Sequence, residues 1–270
     1  MVFTSLLIVM LVVSLSVSIT IPLAHASNQL KVGDTWTLSG TGTYTANGWG
    51  PEAGKYYETD RYTDTFKVDS FDGTRLAISE VFVDTWSYTA TGWFINTYAT
   101  SGTSTHNYRY IINATTLRII AETWSKNDTG HSTYILIDPS SLVQGATLMR
   151  TWWTPYQGNS STMATDVPWT VSGSQTIPFN GTNLQIWNTT HTGMALGNWY
   201  YYDKDTNTYP YSAGPETDVL QYDGNYGIFV GYSYSGTYTA VEHCSMCSGG
   251  WTDTAVYTEQ LTSSNINLTS

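Results

Sequence analysis

The sequence predicts a mainly antiparallel all-β protein, built as one large curved sheet, a half-barrel or a sandwich, with little helix beyond an apolar N-terminal segment. Almost every segment alternates its side chains with a period of two residues and is rich in β-branched and aromatic residues. No stretch has a convincing 3.6-residue period. Charged residues make up only 11% of the chain, well below the ~25% of an average soluble protein. Such a composition is typical of an extended, hydroxyl-covered β surface.

The predicted strands follow one another with short connections. In chain order they cover residues 30–46, 55–68, 74–88, 93–100, 108–113, 117–125, 132–137, 147–153, 169–177, 184–190, 199–203, 219–222, 227–234, 238–241 and 254–262. In the second of them, the even-numbered residues from Tyr56 to Val68 share one face. Asp72-Gly73 predicts a type I′ hairpin turn. The only predicted helical turn begins at Asp138-Pro139 and runs to Gly145.

Residues 1–26 contain no Lys, Arg, Asp or Glu, and they end in Ala24-His25-Ala26, a tripeptide of the kind that signal peptidases cut after. This predicts a cleaved signal peptide followed by a single antiparallel β domain over 27–270. The apolar run is also long enough to span a bilayer, so an uncleaved N-terminal anchor is the alternative. In both cases the remaining chain is predicted to be extracellular or at the cell surface.

Two short motifs recur along the chain. Residues 71–78 and 179–186 both fit Phe-[Asp/Asn]-Gly-Thr-x-Leu-x-Ile, and residues 44–49 resemble residues 88–93. One interpretation is convergent hairpin chemistry, in which Gly supplies a positive φ and an aromatic ring covers the turn. The other is a duplicated half-sheet, with two similar halves meeting near 156–165.

The net charge is −11, and no Lys or Arg follows Lys204. A surface this acidic repels phosphate backbones, which argues against nucleic acid as a partner. Solubility alone explains the acidity; cation binding or tolerance of low pH is the alternative.

Six triplets of the form Asn-x-Ser/Thr are candidate glycosylation sites: Asn113, Asn127, Asn159, Asn180, Asn188 and Asn267. Thr-rich chains generate such triplets by chance. Together with export, however, they predict a glycosylated surface protein.

Cys244 and Cys247 are the only cysteines. Outside the cell they are predicted to form a disulfide, which contributes about 2 kcal/mol on the chain-entropy model. Metal binding with the neighbouring His243 and Met246 and thiol–disulfide exchange are the alternatives. Exchange needs a helix N-terminus after the first Cys, and the Gly249-Gly250 pair argues against one.

A polar run alternates oxygen side chains as a calcium loop does, at Asp203, Asp205 and Asn207. Thr208 and Gly214 replace the Gly and the closing Glu of that motif. A polar β-turn is therefore the main prediction and a Ca²⁺ site the alternative; no other cofactor is predicted.

Catalytic signatures are missing, so the sequence predicts a protein that is not an enzyme. Residues 231–236 are one residue too long for a Gly-x-Ser-x-Gly elbow, and zinc-protease, P-loop and dinucleotide motifs are absent. The paired carboxylates of a glycosidase remain an alternative, because such pairs meet only in space. Candidates are Glu58, Glu80 and Glu122, on predicted strands beside Tyr57, Trp86 and Trp124, whose rings can stack on sugars.

The run from Leu30 to Trp36, LKVGDTW, resembles the Val-Gly-Asp-x-Trp/Tyr strand that opens the mature domain of many archaeal and some bacterial secreted proteins. Residues 171–181 and 199–204 resemble further motifs of those proteins, although the turn Gly expected after Lys204 is missing. Those proteins are similar to the LolA/LppX lipoprotein-carrier fold. The resemblance implies a curved antiparallel sheet or half-barrel around an apolar groove and, through that fold, a lipid ligand.

These observations predict an exported, glycosylated, non-catalytic β protein of an archaeal-type envelope, with a structural or binding role at the cell surface. Its predicted partners are envelope components or copies of itself, the latter through strand addition at a sheet edge. The alternatives are a LolA-like carrier of a lipid or other apolar ligand and an extracellular glycoside-active enzyme that binds carbohydrate.

Overall fold

The computed structural model describes residues 30–49, 54–92, 95–123, 130, 132–155, 162–196, 211–241 and 250–268. The predicted export segment and the predicted strand 199–203 lie outside these residues. In chain order the strands are β1 (Thr35–Trp49), β2 (Gly54–Phe71), β3 (Arg75–Gly92), β4 (Ile95–Asn113), β5 (Ile119–Glu122), β6 (Thr147–Pro155), β7 (Thr162–Phe179), β8 (Thr182–Leu196), β9 (Tyr211–Asp223), β10 (Phe229–Val241) and β11 (Gly250–Ser264). A 3₁₀ turn, Pro139–Ser141, lies between β5 and β6.

All eleven strands belong to one antiparallel sheet, which confirms the predicted all-β class and its large curved sheet. The strand order is β5-β4-β3-β2-β1-β11-β10-β9-β8-β7-β6. β1 and β11 pair at the centre, so the sheet consists of two meandering arms that meet along this pair. β5 and β6 are the outer strands and do not pair with each other, so the sheet is not closed into a barrel. Among the described residues, no helix has the length and apolar character needed to cross a membrane.

The sheet curves around one face. Tyr134 lies on that face and contacts Tyr110 of β4, with ring centroids 6.3 Å apart, and Phe229 of β10, at 5.6 Å. β4 and β10 are separated by four strands in the sheet order. One side chain can touch both only because the sheet bends between them, so this face is concave.

Residues 132–137 cross the concave face, and we call them the crossing segment. The sequence predicts a strand here, and that prediction is wrong: the segment makes only isolated bridges, to the turns after β4 and after β9. Thr133 N–H donates to the carbonyl of Leu117, and Ile137 N–H to that of Gly227. Residues 135–137 are all buried. An enclosed crossing segment and a buried strand give the same short apolar run in sequence.

Arg150, on β6, binds the crossing segment through its side chain. Its guanidinium donates to the carbonyls of Thr133 (3.1 Å) and Leu136 (3.3 Å) and lies over the ring of Tyr222, 5.5 Å from the centroid. The guanidinium is buried, and these acceptors satisfy donors that burial would otherwise leave without water.

The apolar core fills one end of the concave face. Trp36 of β1 stacks on Phe66 of β2, with centroids 5.1 Å apart, and Phe66 meets Phe229 of β10 edge-on at 6.3 Å. Other buried members are Leu38, Val68, Leu76, Ile78, Ile112, Leu184 and Tyr222. Each buried aromatic removes ~150–250 Å² from water, so this end holds the two arms together.

Two local predictions need correction. From Ile95 on, the predicted strands 93–100 and 108–113 belong to one strand, β4, whose small polar middle (101–107) pairs with β3 throughout. The turn between β2 and β3 is not type I′, because Gly73 has a positive φ (90°) and Asp72 does not, whereas type I′ needs both. Asp72 instead accepts hydrogen bonds from the N–H groups of Thr74 and Arg75 through its side chain.

The entrances to the two arms repeat the same hydrogen bonds. Gly33 N–H donates to the carbonyl of Val68, whose N–H donates to the carbonyl of Asp34. In the second arm, Gly145 N–H donates to the carbonyl of Val171, whose N–H donates to the carbonyl of Ala146. Both glycines have a positive φ, 93° and 84°.

The turns after β4 and β9 repeat as well. Asn113 and Asp223 lie 223 − 113 = 110 residues apart, and the side chain of each accepts from two backbone N–H groups of the turn that follows. The recurring Phe-[Asp/Asn]-Gly-Thr motif forms the β2–β3 and β7–β8 hairpins. These repeats begin at Gly33 and Gly145. A boundary near 156–165 stays a prediction, and residues 156–161 lie outside the described chain.

Candidate functional site

The sheet separates its charges between its two faces. Alternate residues of a strand point to opposite faces. On β2 and β3 the acids at even-numbered positions line the concave face: Glu58, Asp60, Asp64, Glu80 and Asp84. The basic residues of β2 take odd-numbered positions and are exposed on the convex face: Lys55, Arg61 and Lys67. On β2 and β3 the concave face therefore carries acids without bases beside them.

Next to the apolar core, the concave face encloses a cavity of about 600 Å³. Seven carboxyl groups line it: Glu58, Asp60, Asp64, Glu80, Asp84, Glu122 and Glu259. Six tyrosines line it as well: Tyr62, Tyr108, Tyr110, Tyr134, Tyr232 and Tyr257. The remaining wall is mainly apolar, from Phe82, Ile119, Leu220 and Phe229. No described Lys or Arg lines this cavity.

Glu80 and Asp64 form a carboxyl pair at the floor of the cavity. They are 4% and 5% exposed. Tyr110 and Tyr134 donate their hydroxyls to Glu80 Oε2 at 2.6 and 2.9 Å. Burial raises the pKa of both carboxyls, and the charges of Glu80 and Glu259 raise that of Asp64 further. The hydroxyl donors oppose this rise at Glu80, so burial favours the protonated form more strongly at Asp64 than at Glu80.

The pKa values of other acids on this face are also raised towards neutral pH. Burial, followed by the charge of Glu80, raises the pKa of Glu259 to about 8. Burial, followed by the charges of Glu58 and Asp84, raises that of Asp60 to about 6. Asp218 is fully buried and accepts the hydroxyl of Tyr232 at 2.8 Å; burial still raises its pKa to about 7. Small changes in pH or in nearby charge therefore change the charge of this face.

Two glycines on β1 make room for the tyrosine rings. A Cβ on Gly40 would lie 2.5 Å from the ring of Tyr62, and a Cβ on Gly42 would lie 2.3 Å from the ring of Tyr257. The rings therefore lie directly over the backbone of β1. Tyr62 is fixed there by a hydrogen bond from its hydroxyl to the carbonyl of Thr258 at 3.0 Å.

Farther along the strands, an aromatic row crosses the concave face. Tyr56 contacts Tyr44 of β1 at 5.6 Å and stacks on Tyr88 of β3 at 5.2 Å, and Tyr88 contacts Tyr98 of β4 at 5.8 Å. The hydroxyl of Tyr56 donates to Glu58 at 2.8 Å, which joins this row to the acids of the cavity.

The structure brings together the three glutamates that the sequence predicts as glycosidase candidates. Glu58, Glu80 and Glu122 all line the cavity. Of their predicted aromatic neighbours, Tyr57 is exposed on the convex face and Trp124 lies outside the described residues. Trp86, on the concave face, stacks on Tyr88 at 5.7 Å.

The remaining predicted site residues are not brought to the cavity. Cys244, Cys247, Asp203, Asp205, Asn207, Asn127 and Asn159 lie outside the described residues. Asn180 and Asn267 are exposed. Asn113 and Asn188 are partly buried, and the Asn188 side chain accepts from Gln221 at 3.0 Å. The disulfide, glycosylation and Ca²⁺ predictions stay predictions.

Sequence reasoning missed Asp60, Asp64, Asp84 and Glu259 as site residues. The signal was partly present, because the even-numbered acids of β2 share a face with Phe66 and Val68, which are core residues. Following that face from the core would have placed Asp64 and Asp60 on the inside. Glu259 gave no such signal, since its position depends on the pairing of β11 with β1.

The acids of the cavity do not form a metal site. Within the described ranges, no group of three or more His, Cys, Asp or Glu side chains is arranged to hold a metal ion.

Comparisons with known proteins leave the family open. The chain matches no protein-family model and no curated protein. Among solved structures, it is similar to the β domain of the Bordetella autotransporter BrkA, with a TM-score of 0.31 and 6% sequence identity over 86% of this chain and 100% of that one. A likeness of this size carries no argument about function.

Proposed function

We propose that this protein is an exported, non-catalytic binding protein that holds a small organic ligand in the cavity on its concave face. The observation that carries the proposal is the cavity itself: about 600 Å³, with polar carboxyl groups set in a wall of aromatic and apolar side chains. Sites for small molecules are typically concave, mostly apolar and 300–1,000 Å³ in volume, with few polar groups that fix orientation.

The state of the carboxyl groups favours binding over catalysis. Glu80 is held by Tyr110, Tyr134 and Asp64 together, so its oxygens are committed to fixed partners. Asp64 and Glu80 are in direct hydrogen-bond contact, which is closer than the ~5 Å or more that separates the two carboxyls of a glycosidase. The pair therefore suits fixed contacts in a binding site better than the roles of the acid and the nucleophile in a glycosidase.

The glycoside-active enzyme is the second candidate, because the cavity also gathers acids that are not in contact with each other. It is tested with aryl glycosides of several sugars at pH 4 to 8. Release of the aryl group that is lost in both Asp60→Asn and Asp84→Asn would establish it. Hydrolysis unaffected by these variants would point to a contaminating enzyme.

A dye and a pair of matched variants test the binding cavity. Ile119 lines the cavity, whereas its neighbour Ile120 is exposed on the opposite face of β5. We expect the neutral dye Nile red to bind one to one with a blue-shifted emission. Ile119→Trp should fill the cavity and weaken binding at least tenfold, and Ile120→Trp should leave it unchanged. Equal effects of the two variants, or no saturable binding, would rule out the cavity as the site.

Export and glycosylation are tested on protein from the culture medium or cell envelope of the source organism. We expect the mature chain to begin at Ser27. Glycans should occupy Asn180 and Asn267, which are exposed, before Asn113, whose side chain is engaged by the turn that follows it. An intact N-terminus together with an unmodified mass would contradict both parts of the proposal.

A further inference from the structure

We propose that the ligand of this cavity is an organic cation: a primary or quaternary ammonium group attached to an apolar body. This inference rests on the proposed binding function and names the chemical class of its ligand. It follows from the charges of the wall, from one unsatisfied oxygen and from the placement of the tyrosine rings.

The cavity has no cation of its own. Seven carboxyl groups line it, and every described Lys and Arg is exposed elsewhere except Arg150, which is engaged by the crossing segment. Buried acids in proteins are normally paired with a base, neutralised or bound to a metal. Protons neutralise part of this acidity, since burial raises the pKa of Asp64 and Glu259, and the described acids form no metal site. An organic cation that replaces those protons would supply the positive charge that the wall lacks. The same wall repels carboxylates and phosphates, so fatty acids and phospholipids are disfavoured.

Asp64 provides a specific contact for that charge. The residue is 95% buried at the floor of the cavity, and its Oδ1 has no hydrogen-bond partner among the described residues. A buried polar atom without a partner costs about 1–3 kcal/mol. A primary ammonium group placed against Oδ1 would donate the missing hydrogen bond, and a quaternary ammonium group would make an electrostatic contact there.

The tyrosines complete the site for an ammonium group. The faces of Tyr62 and Tyr257 lie over β1, where Gly40 and Gly42 leave them space. A cation within about 6 Å of such a ring gains ~0.5–2 kcal/mol, more when water is excluded. Phe229, Leu220 and Ile119 form the apolar wall that would hold the body of the ligand.

Binding of the cation should release protons, because several of these carboxyls hold protons near neutral pH. The groups facing one another are the seven carboxyls and six tyrosines named above, from β2 to β5, β10, β11 and the crossing segment, with His106 beside Asp84. Burial raises the pKa of Glu259 to about 8 and that of Asp60 to about 6. An ammonium ion that displaces one proton binds about tenfold more weakly for each pH unit below the free carboxyl's pKa.

Three probes that share one apolar body test the inference by calorimetry at pH 8: 3-phenylpropylamine (a cation), 3-phenylpropanol (neutral) and 3-phenylpropanoate (an anion). We expect the amine to bind at least tenfold more tightly than the alcohol and the anion not to bind. The affinity for the amine should fall by about tenfold or more between pH 8 and pH 5.5, where the amine stays charged, whereas that for the alcohol should not.

Variants assign the effect to the concave face. Asp64→Leu removes Oδ1, the proposed acceptor for the ammonium group, and we expect it to weaken amine binding about tenfold with alcohol binding unchanged. Asp60→Asn, at a less buried position, serves the same purpose. Asp69→Asn, on the convex face of the same strand, is the matched control and should change neither affinity.

The outcomes separate the two proposals. Equal binding of amine and alcohol, or tighter binding of the anion, would overturn the cation inference and leave the binding function in place. The same holds if Nile red binds in an Ile119→Trp-sensitive manner while no amine binds. If neither the dye nor any probe binds, the proposed function itself fails.

Discussion

Glu80 is buried, and hydroxyl groups take the place of the water that its carboxyl group loses. Tyr110 comes from the neighbouring strand and Tyr134 from the crossing segment, so two separate parts of the chain must be in place before the carboxylate is satisfied. Charge-assisted hydrogen bonds of this kind contribute about 1.5–3 kcal/mol each. The pair with Asp64 therefore links β2, β3, β4 and the crossing segment through a single acceptor.

Removing one donor should reveal this link. We expect Tyr134→Phe to lower the free energy of unfolding in urea by about 1–3 kcal/mol at pH 7, because the Glu80 carboxylate loses a buried O–H donor. Tyr57→Phe removes a hydroxyl from an exposed ring on the convex face and should change stability by less than about 0.5 kcal/mol. Equal losses in the two variants would mean that the hydrogen bond to Glu80 contributes nothing net.

At the scale of elements, the crossing segment acts as the inner support of the curved sheet. It touches the turn after β4 on one arm and the turn after β9 on the other, so it fixes how far the two arms bend towards each other. Gly227 sits where the segment passes the second turn: a Cβ there would lie 2.0 Å from the carbonyl oxygen of Ile137, and its φ is 67°.

Gly227→Ala should therefore loosen the crossing segment. We expect a loss of at least ~2 kcal/mol in urea unfolding, together with faster hydrogen exchange at the Ile137 amide, which donates to Gly227. Gly73→Ala is the matched control, because Gly73 also has a positive φ but nothing lies within 4 Å of its Cβ position. It should cost only the ~1 kcal/mol of the left-handed backbone. Similar losses would show that backbone strain, not contact with the segment, sets the cost at Gly227.

The sequence predicts those elements best where the two faces of a strand differ in chemistry. β2 alternates acids and apolar residues with Lys, Arg and Thr, so its face pattern was visible at once. The middle of β4 has small polar residues on both faces, and nothing in the period-two pattern marks it. The crossing segment reads as a strand in the sequence because residues 135–137 are all apolar and buried, which leaves no alternation to distinguish the two.

The candidate site was predictable only in part, for a related reason. Its members come from strands that meet through pairing of β1 with β11, residues such as Thr35 and Asn265 that lie 230 positions apart. The sequence shows which side chains share a face of one strand. It does not show which faces of distant strands turn towards each other. The sequence therefore names Glu58, Glu80 and Glu122 as candidate site residues but does not place them in one cavity.

For the whole molecule, the acidic interior should invert the usual effect of pH on stability. Asp218 and Glu259 have pKa values of about 7 and 8 in the folded chain, against reference values of 3.8 and 4.5. A carboxyl whose pKa is raised on folding binds more protons in the folded state, so its contribution is fully present below the unfolded pKa and is lost as pH rises through the folded pKa.

We therefore expect the free energy of unfolding to be larger at pH 5 than at pH 8.5, by an amount on the order of several kcal/mol at ~1.4 kcal/mol per pKa unit. Urea titrations across this range measure it. Glu259→Gln removes one of the titrating groups and should flatten the decline, with its gain confined to the alkaline side. Stability that rises steadily from pH 5 to pH 8.5 would show that these carboxyls are ionised in the folded protein.

The central pairing of β1 with β11 also decides how the domain responds to force. The start of β1 and the end of β11 lie next to each other at the same end of the sheet. There the Asn265 side chain accepts a hydrogen bond from Thr35 N–H and donates one to the carbonyl of Gly33. Tension between residues before Leu30 and residues after Leu268 would act across these strands, so it would load the first rung of the ladder alone and then each next one in turn. A domain tethered through one end only carries no load on the β1–β11 pair. In a domain held at both ends, the hydrogen bonds of this pair would break one after another, starting beside Thr35 and separating the two arms.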